Sequence, residues 1–359
     1  MIFETLRRWP DVEAPELRAW DAADALILDE AAALLPGSEP TVIGDEYGAL
    51  TLGALDRGAT RVRVHQDSLA GELALAANGT GDYTSLPLDP SLVAGARLVL
   101  LRLPRSLDAL EQSAALIAAH AHPEVVVVAG GRLKHMTVSM NEVLLRHFGR
   151  LDVSHARQKS RVLIARSPLA GAEAEPRRQF HEDLGLWVVA TGGVFAGTSV
   201  DIGTRALLSV LDRVPPYESA VDLGCGTGIL AAELARRAPG ARVLASDRSA
   251  AAVASARLTM AANGLPVRVT RDEALADEPA GSADLVVLNP PFHSGAAVHP
   301  GVSTALFEGA ARVLRPGGEL WAVWNSHLAY RPALERMVGP TRQILRTPKF
   351  TVTASTKGS

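Results

Sequence analysis

The segment Asn289-Pro290-Pro291-Phe292 combines residue types that can hold a flat heterocycle by an exocyclic amine. It follows Leu285–Leu288, a wholly apolar run that predicts a buried parallel strand. The two prolines lack N–H donors and leave carbonyls free to accept, and the Asn289 side-chain oxygen is a further acceptor. Phe292 supplies a ring for stacking. The pattern predicts a site that aims an amine nitrogen at an electrophile, where positioning supplies much of the rate.

A glycine-rich turn precedes this segment in the chain, at Asp222-Leu223-Gly224-Cys225-Gly226-Thr227-Gly228. Glycines let the backbone turn sharply and approach a ligand closely. Asp247 lies 19 residues after Gly228, at the end of the next predicted strand, where a carboxylate can accept two hydrogen bonds from a ribose diol. Dinucleotide-binding enzymes show a similar turn and acid, but usually with GxGxxG spacing. The turn and the acid therefore predict a cofactor that contains a nucleoside. They do not decide between a dinucleotide and another cofactor of this type.

The single cysteine and the histidines do not predict a nucleophilic site or a metal site. Cys225 precedes a predicted helix, where the pKa of a thiol can be lowered, but no histidine near it in the sequence could act as its base. His293 and His299 lack a third ligand at metal-binding spacing. We therefore expect neither a cysteine nucleophile nor a bound metal, and we assign His293 no proton-transfer role.

Composition limits the classes of protein to which the chain can belong. Hydrophobic residues make up 47% of the 359 residues and charged residues 21%, so a packed core is feasible. The longest apolar stretch, near Ala114–Gly131, is interrupted by polar and charged residues, so we expect no membrane span. The N-terminal segment has no signal-peptide pattern, and we expect a cytoplasmic monomer. The net charge of −3 is not that of a strongly basic nucleic-acid binder.

Helix-like and strand-like segments alternate from Asp201 onwards, which is typical of a parallel α/β sheet. Such open sheets bind ligands at the carboxyl ends of their strands, where the glycine turn, Asp247 and Asn289 are all predicted to lie. The predicted elements are a helix over Asp201–Val214, strands over Ala220–Leu223, Arg242–Ser246, Val267–Val269, Leu285–Leu288 and Glu319–Asn325, a helix over Ser303–Leu314, and a terminal hairpin over Gln343–Leu345 and Phe350–Val352.

Three strings, VDLGCGTG at 221–228, SD at 246–247 and NPPFH at 289–293, resemble S-adenosylmethionine-dependent methyltransferases that modify exocyclic amino groups. With GGVFAGTSVDIGTRALL at 192–208, the chain is similar to the ribosomal RNA guanine-N2 methyltransferases of the RsmC/RlmG type. LRLPRSLDALEQSAALIAA at 101–119 and GRLKHMTVSMNEVLLRHFG at 131–149 resemble the N-terminal half of the large-subunit members. The resemblance covers nearly the whole chain. It implies methyl transfer to N2 of a guanine in ribosomal RNA, most directly 23S rRNA, as naked RNA or within a ribosomal subunit.

The resemblance also implies roles for individual residues. The glycine turn holds the methionine part of the cofactor, Asp247 binds the ribose and Arg248 flanks the adenine. Glu273 matches the position that meets the adenine amine, with Asp272 as its alternative. The implied catalytic residues are Asn289, Pro290, Pro291 and Phe292. The implied cofactor-binding residues are Phe195, Asp201, Thr204, Asp222, Gly224, Cys225, Gly226, Gly228, Asp247, Arg248, Asp272, Glu273 and Asn289.

Two residues of the segment that covers the cofactor mouth have alternative interpretations. Phe195 suits a core aromatic as well as a cover for the cofactor. Arg205 can orient either the cofactor carboxylate or an RNA phosphate.

The first half of the chain repeats the pattern of the second. TVIGDEYG at 41–48 aligns with VDLGCGTG at 221–228 at an offset of 180, which also places Asp67 on Asp247. The middle glycine of the turn has become Glu46, which would repel a cofactor carboxylate, and the Asn-Pro-Pro string has become Arg102-Leu103-Pro104.

These changes predict a duplicated α/β fold whose first copy has lost cofactor and catalysis. The fold class is two tandem Rossmann-like (class I) S-adenosylmethionine methyltransferase folds with a degenerate N-terminal one. Residues 1–180 are the degenerate domain, with RNA recognition as its predicted role, and residues 181–359 are the catalytic domain.

The segment from Gly131 to Arg166 carries eight Arg and Lys residues against two acids. One interpretation is RNA recognition through phosphate contacts. The other is a solvated surface on a half that only scaffolds the active one. We favour RNA recognition by Arg132, Lys134, Arg157, Lys159 and Arg161, with Arg205 from the second half.

Other functions fit parts of the same pattern. A methyltransferase acting on guanine N2 of 16S rRNA, on adenine N6 or on a protein glutamine amide could use the Asn-Pro-Pro-Phe string; the duplicated first half argues against the last two. A nicotinamide oxidoreductase could place Asp247 on a ribose. A non-catalytic RNA-binding protein would have two inert halves, and the intact string at Asn289–Phe292 argues against it.

Overall fold

The computed structural model describes residues 2–290 and 300–358. The chain divides into two compact units, one ending at Glu175 and the other spanning Pro176–Ser359. Each unit is built on its own seven-stranded mixed sheet, and the two sheets have the same strand order, 3-2-1-4-5-7-6 in the numbering of each unit. The predicted fold class, two tandem Rossmann-like α/β folds, is confirmed.

In the first unit five parallel strands are followed by an antiparallel pair. Its strands are β1 (Thr41–Ile43), β2 (Val62–His65), β3 (Tyr83–Ser85), β4 (Leu98–Arg102), β5 (Val126–Arg132), β6 (Phe148–Val153) and β7 (Ser160–Pro168). Its helices are α1 (Ala22–Glu30), α2 (Ala49–Asp56), α3 (Leu69–Asn78), α4 (Pro90–Val93), α5 (Leu107–His120) and α6 (Val138–His147), with 3-10 turns at Ile2–Thr5 and Leu133–His135. Strand β7 runs antiparallel to both β5 and β6.

The second unit begins with a hairpin, β8 (Arg177–His181) and β9 (Leu186–Ala190), so residue 180 lies inside a strand. The sheet strands are β10 (Ser219–Leu223), β11 (Arg242–Asp247), β12 (Arg268–Arg271), β13 (Ala283–Leu288), β14 (Leu314–Asn325), β15 (Thr341–Arg346) and β16 (Phe350–Thr356). The helices are α7 (Ile202–Leu208), α8 (Ile229–Arg237), α9 (Ala250–Asn263), α10 (Pro300–Val313) and α11 (Arg331–Met337), with 3-10 turns at Leu211–Arg213 and Ser326–Leu328.

The last four residues of strand β13, Leu285–Leu288, are all apolar because both faces of the strand are buried. Leu285 and Val287 pack into the core on one face of the sheet, and Val286 and Leu288 pack into the core on the other. A strand buried on both faces needs no polar alternation. None of the helices within the described residues combines the length and apolar character needed to cross a bilayer.

Several element boundaries differ from the prediction. Helix α7 ends at Leu208, because Val210 adopts a φ of −125° before a 3-10 turn. Strand β14 begins at Leu314, ahead of the predicted Glu319, because Leu314 already pairs with Ala283 and the register shifts before Leu285 pairs with Glu319. Helix α11 and the β8–β9 hairpin were not predicted, whereas the terminal hairpin is confirmed as antiparallel β15 and β16.

Strand β9 is attached to helix α9 by a ladder of side-chain hydrogen bonds. The Asn263 amide pairs with both the N–H and the C=O of Trp187, at 3.0 and 2.8 Å. The Thr259 hydroxyl does the same for Val189, at 3.0 and 3.2 Å, and the Ser255 hydroxyl accepts from the Thr191 N–H at 3.0 Å. The described part of the first unit shows one rung of this kind: Asn78 pairs in the same way with Arg7, which stands 180 residues before Trp187. The ladder attaches β9 and the residue after it to α9.

Helix α8 and helix α9 approach each other at Gly228. This residue has a φ of 81°, and a Cβ added to it would lie 2.8 Å from the Met260 Cε and 3.2 Å from the Ala256 Cβ. The left-handed backbone therefore favours glycine, and a side chain here would also require Met260 to shift and would press on Ala256.

We expect Gly228→Ala to lower the free energy of unfolding by about 1–3 kcal/mol, because it adds left-handed strain to overpacking. Chemical denaturation followed by circular dichroism measures this change. Gly240→Ala is the matched control, since its Cβ would meet no atom within 4 Å and its φ is not left-handed. Equal stability of the two variants would contradict the packing argument.

Candidate active site

The glycine turn of the second unit joins β10 to α8 and leaves its backbone open to a ligand. The Gly224 and Cys225 N–H groups donate to the Ser246 carbonyl at 2.8 and 3.1 Å, which ties the turn to β11. Gly224 and Gly226 have φ values of 69° and 53°, and no heavy atom lies within 4 Å of a Cβ built on either of them. The turn therefore has both the conformation and the open space that close approach of a ligand needs.

Asp247 links the end of β11 to the same turn. Its Oδ2 accepts from the Gly226 N–H at 3.0 Å, and its Oδ1 accepts from the Ser249 N–H at 2.9 Å. A carboxylate can accept about four hydrogen bonds, so both oxygens can also accept from a diol. The structure thus places the predicted ribose acid in contact with the predicted cofactor turn.

Two residues of the turn itself carry buried titratable groups. Burial raises the pKa of Asp222 to about 7, and its Oδ2 accepts from the Ala231 N–H at 2.9 Å. Burial, with Asp247 and Asp222 nearby, raises the pKa of the Cys225 thiol well above its usual range. The thiol therefore stays protonated, the opposite of what a cysteine nucleophile needs.

The loop after β12 brings the predicted adenine contacts together. Asp272 is 3% exposed; its N–H donates to the Asp247 carbonyl at 3.1 Å, and its Oδ2 accepts from the Asp277 N–H at 3.2 Å. Burial raises the pKa of Asp272. Glu273 Oε1 lies 3.5 Å from the Arg248 guanidinium. Asp272 therefore bonds within its own loop, while Glu273 and Arg248 form a pair.

Asn289 follows β13 directly and contacts the start of α7. Its Nδ2 donates to Asp201 Oδ2 at 3.1 Å and to Thr204 Oγ1 at 3.0 Å. Its Oδ1 is buried and has no hydrogen-bond partner among the described residues. An unmade bond of this kind costs about 1–3 kcal/mol, so its presence in a fold needs a reason.

Phe195 and Arg205, two more predicted site residues, have other surroundings. Phe195 is 66% exposed, so the core-aromatic interpretation is wrong. Arg205 is exposed and pairs with Asp183 at 2.6 Å. Pro290 is buried, whereas Pro291, Phe292 and His293 lie outside the described residues. Within the described ranges, no group of three His, Cys, Asp or Glu side chains could hold a metal.

An ion cluster occupies the equivalent position in the first unit. Arg102 ends β4, where Asn289 follows β13, and its guanidinium hydrogen-bonds the buried Asp24. Arg102 also lies 3.1 Å from Asp21 and 3.4 Å from Glu46. All polar atoms of a guanidinium are donors, so this position offers no acceptor to an amine.

The glycine turn of the first unit is crowded by the same residue. Gly44 keeps a left-handed φ of 83°, but a Cβ built on it would lie 3.2 Å from the Arg102 carbonyl oxygen. At Gly224, in the second unit, the same position is open. The two turns share their backbone shape and differ in the space beside them.

The predicted RNA-binding cations of the first unit lie at the carboxyl edge of its sheet. Arg132 ends β5, Lys134 lies in the following 3-10 turn, and Lys159 directly precedes β7. The Leu133 N–H donates to the Lys159 carbonyl at 2.9 Å, so these segments are adjacent. Arg157 instead pairs with Asp29.

The structure adds Arg105 to this edge, a residue that sequence reasoning missed. Its Nη2 lies 3.3 Å from His135 Nε2. Slight burial, together with the charges of Arg105 and Lys134, lowers the pKa of His135, as expected in a cationic cluster. Arg161 lies on β7, and its buried Nε has no hydrogen-bond partner among the described residues. Arg105 could have been found from its position in the sequence, because it directly follows the Arg-Leu-Pro string that replaces Asn-Pro-Pro.

The raised pKa of Asp222, about 7, makes the stability of the second unit depend on pH. The folded unit binds this proton more tightly than the unfolded chain, so its stabilising effect is lost as the pH rises through the folded pKa. We expect Asp222→Asn to reduce the fall in unfolding free energy between about pH 5 and about pH 8 by about 2–3 kcal/mol. Urea denaturation at the two pH values measures it. The exposed Asp56→Asn is the control, and identical pH profiles for both variants would contradict the assignment.

Comparisons with known proteins agree with this architecture. Residues 185–354 match the family model of the methyltransferase small domain, and residues 3–169 match that of the RLMG N-terminal domain. A ribosomal RNA large subunit methyltransferase G from Streptomyces avermitilis is 36% identical, with 98% of this chain and 96% of the relative aligned. The protein of the same name from Magnetococcus marinus is 34% identical over 99% of this chain and 97% of its own length.

Among solved structures, a 16S rRNA guanine-N2 methyltransferase (RsmC) from T. thermophilus, determined with AdoMet and guanosine, is similar. It is 25% identical, with a TM-score of 0.79 over 96% of this chain and 97% of its own. The predicted family resemblance is confirmed. With both units matched in order and relatives aligned almost end to end, the chain belongs to the ribosomal RNA large subunit methyltransferase G family.

Proposed function

We propose that this chain transfers a methyl group from S-adenosylmethionine to the exocyclic N2 amine of a guanine in 23S ribosomal RNA. The observation that carries the proposal is the buried Oδ1 of Asn289 at the carboxyl end of β13, which has no hydrogen-bond partner within residues 2–290 and 300–358. A hydrogen-bond acceptor without a donor suits a substrate that brings an N–H group. The similar RsmC structure contains AdoMet and guanosine, which have the chemistry that the two parts of this site would take.

The second unit fits the cofactor at the glycine turn. The open space at Gly224 and Gly226 admits a ligand against the backbone, and Asp247 can accept from its ribose. Arg248 and Glu273 would flank and bind its adenine, with Asp272 as the alternative. When bound, S-adenosylmethionine supplies a methyl group on a sulfonium, already activated for transfer to nitrogen. The protein therefore needs no metal and no strong base at the amine.

The protein's part in the reaction is to align the amine. Asn289 Oδ1 and the Pro290 carbonyl would accept from the two N2 hydrogens, which leaves the nitrogen lone pair facing the methyl. Phe292 would stack on the base. The proton released from N2 can pass to water after transfer. A guanine within a duplex cannot present its amine in this way, so the base must be unpaired or flipped out.

The first unit would contribute RNA binding without catalysis. Arg102 fills the place of the target-base amide, and Glu46 the place of the middle glycine. The cationic edge at Arg132, Lys134 and Lys159 is suited to phosphates, which provide affinity without base selection. An rRNA substrate also places the enzyme with the ribosomes of the cytoplasm. The similarity of the first unit to the RLMG N-terminal domain favours 23S over 16S rRNA as the substrate.

We expect Asn289→Ala to lower the rate of methyl transfer to 23S rRNA by at least about 10²-fold, because the amine loses its alignment. The dissociation constant for S-adenosylmethionine, measured by calorimetry, should change by less than about threefold. Asp247→Ala is the opposite control and should weaken cofactor binding. Asp67→Ala, at the matching position of the first unit, should leave binding unchanged.

Nucleoside mapping of rRNA from a strain lacking the protein identifies the target. We expect one N2-methylguanosine to be missing from 23S rRNA and to return with the wild-type gene but not with Asn289→Ala. An unchanged 23S map would overturn the proposed substrate. Loss of a 16S, adenine or protein glutamine methylation instead would support the corresponding alternative.

We expect Arg132→Ala, Lys134→Ala and Lys159→Ala together to weaken binding of a 23S rRNA fragment and to reduce the slope of log affinity against log salt by about 2–3. Fluorescence anisotropy over a salt series measures both. The control removes three exposed arginines that pair with acids elsewhere in the unit, Arg7, Arg61 and Arg97. Equal losses in the two triple variants would contradict a localised RNA surface.

A further inference from the structure

The Asn289 amide is held by two acceptors at the start of α7. Both of its N–H groups are used, one on Asp201 Oδ2 at 3.1 Å and one on Thr204 Oγ1 at 3.0 Å. A carboxylate has no hydrogen to donate, so the NH₂ end of the amide must face Asp201. A half-turn of the amide would set two acceptors against each other. Asp201 thus decides that Oδ1 is the end that finds no partner in the described part of the chain.

Asp201 is itself fixed by the helix that it caps. Its Oδ2 accepts from the Gly203 N–H at 2.8 Å and from the Thr204 N–H at 3.4 Å. These N–H groups belong to the first helical turn and have no acceptor within the helix, and an aspartate is well suited to accept from them. One carboxylate oxygen therefore binds both the helix backbone and the Asn289 amide.

Gly203 allows this close approach. A Cβ at this position would lie 2.9 Å from Asn289 Oδ1 and 3.0 Å from Asp201 Oδ2. Contacts this short do not occur between real side chains, so any larger residue would push the amide away from the helix. The first turn of α7 is built to touch the side chain that follows β13.

The first unit keeps the same connection with different chemistry. Asp21 caps α1, 180 residues before Asp201, and Arg102 donates to Asp21 and to Asp24. Asp24 stands 180 residues before Thr204. In both units a side chain at the end of the fourth strand donates to the N-cap and to the residue three positions later. Only the second unit has an acceptor on that side chain.

We propose that Asp201 and Thr204 are positioning residues, which hold the Asn289 amide with its oxygen towards the substrate amine instead of contacting the cofactor. This proposal rests on the proposed function for the identity of the amine. The orientation of the amide does not depend on it.

Two substitutions at Asp201 separate capping from positioning. Asp201→Ser keeps a good N-cap but is too short to reach Asn289. Asp201→Asn keeps an acceptor of the same length. We expect Asp201→Ser to lower kcat by about 10–100-fold, with KM for rRNA and the dissociation constant for S-adenosylmethionine changed by less than about threefold. Asp201→Asn should restore kcat to within about threefold of wild type, and Thr204→Val should lower it less than Asp201→Ser does.

The orientation can be observed without substrate or cofactor. The chain has five asparagines, so selective ¹⁵N labelling gives five side-chain amide signals, and the Asn289 signal is the one missing in Asn289→Ala. We expect Asp201→Ser to shift or broaden this signal, while Asp201→Asn moves it less. Asp89→Ser is the matched control, since Asp89 caps α4 in the first unit and accepts from Ser91. It should change neither the signal nor kcat.

The outcomes distinguish this proposal from its premise. An Asn289 signal unmoved by Asp201→Ser would overturn the contact, and a moved signal with unchanged kcat would overturn its role in the reaction. Weaker cofactor binding in both Asp201 variants would show a cofactor contact and likewise overturn the proposal. If wild type methylates no rRNA, the proposed function fails, while the amide signal still tests the orientation.

Discussion

The chemistry of this site depends on the fact that a carboxylate accepts hydrogen bonds and cannot donate them. Asp201 therefore selects the NH₂ end of the Asn289 amide, and the oxygen is left to accept from another donor. Two parts of the fold have to meet for this to happen, the carboxyl end of β13 and the first turn of α7. The sheet places the former, and the contacts of α7 with β14 and β16 place the latter. The buried oxygen is a cost to stability that binding of an N–H group would recover.

The duplication inside the chain provides its own comparison. Both units keep the strand order, the left-handed glycine at the start of the turn and the aspartate that caps the helix before the first sheet strand. In the first unit, Arg102 forms ion pairs with Asp21, Asp24 and Glu46 in place of an amide beside an open turn. A buried aspartate such as Asp24 destabilises the fold unless it is paired. The ion pair with Arg102 therefore stabilises the arrangement that fills this position in the first unit. The first unit therefore keeps the scaffold and lacks the side-chain acceptor that Asn289 provides in the second.

Local patterns gave the fold and much of the site correctly, because glycine turns, apolar strands and helix caps act over a few residues. The constant offset of 180 between TVIGDEYG and VDLGCGTG predicted two copies of one topology, which the sheets have. The contacts of Asp201 with Asn289 span 88 residues, and no local pattern specifies them. The same is true of Arg157, whose partner Asp29 is 128 residues away, and of Arg105, which joins the cationic edge through His135. The sequence left Phe195 open between a core aromatic and a cover for the cofactor, and only the fold shows it exposed.

The ladder between β9 and α9 works because two different periods nearly coincide. Four residues of helix advance about 6.0 Å, and two residues of strand advance about 6.6 Å. Asn263, Thr259 and Ser255 can therefore meet Trp187, Val189 and Thr191 in succession. The mismatch grows by about 0.6 Å at each step, so donors and acceptors stay within hydrogen-bonding distance for only a few successive pairs. A strand docked on a helix in this way has a built-in maximum length, and after Thr191 the chain turns away towards the next helix.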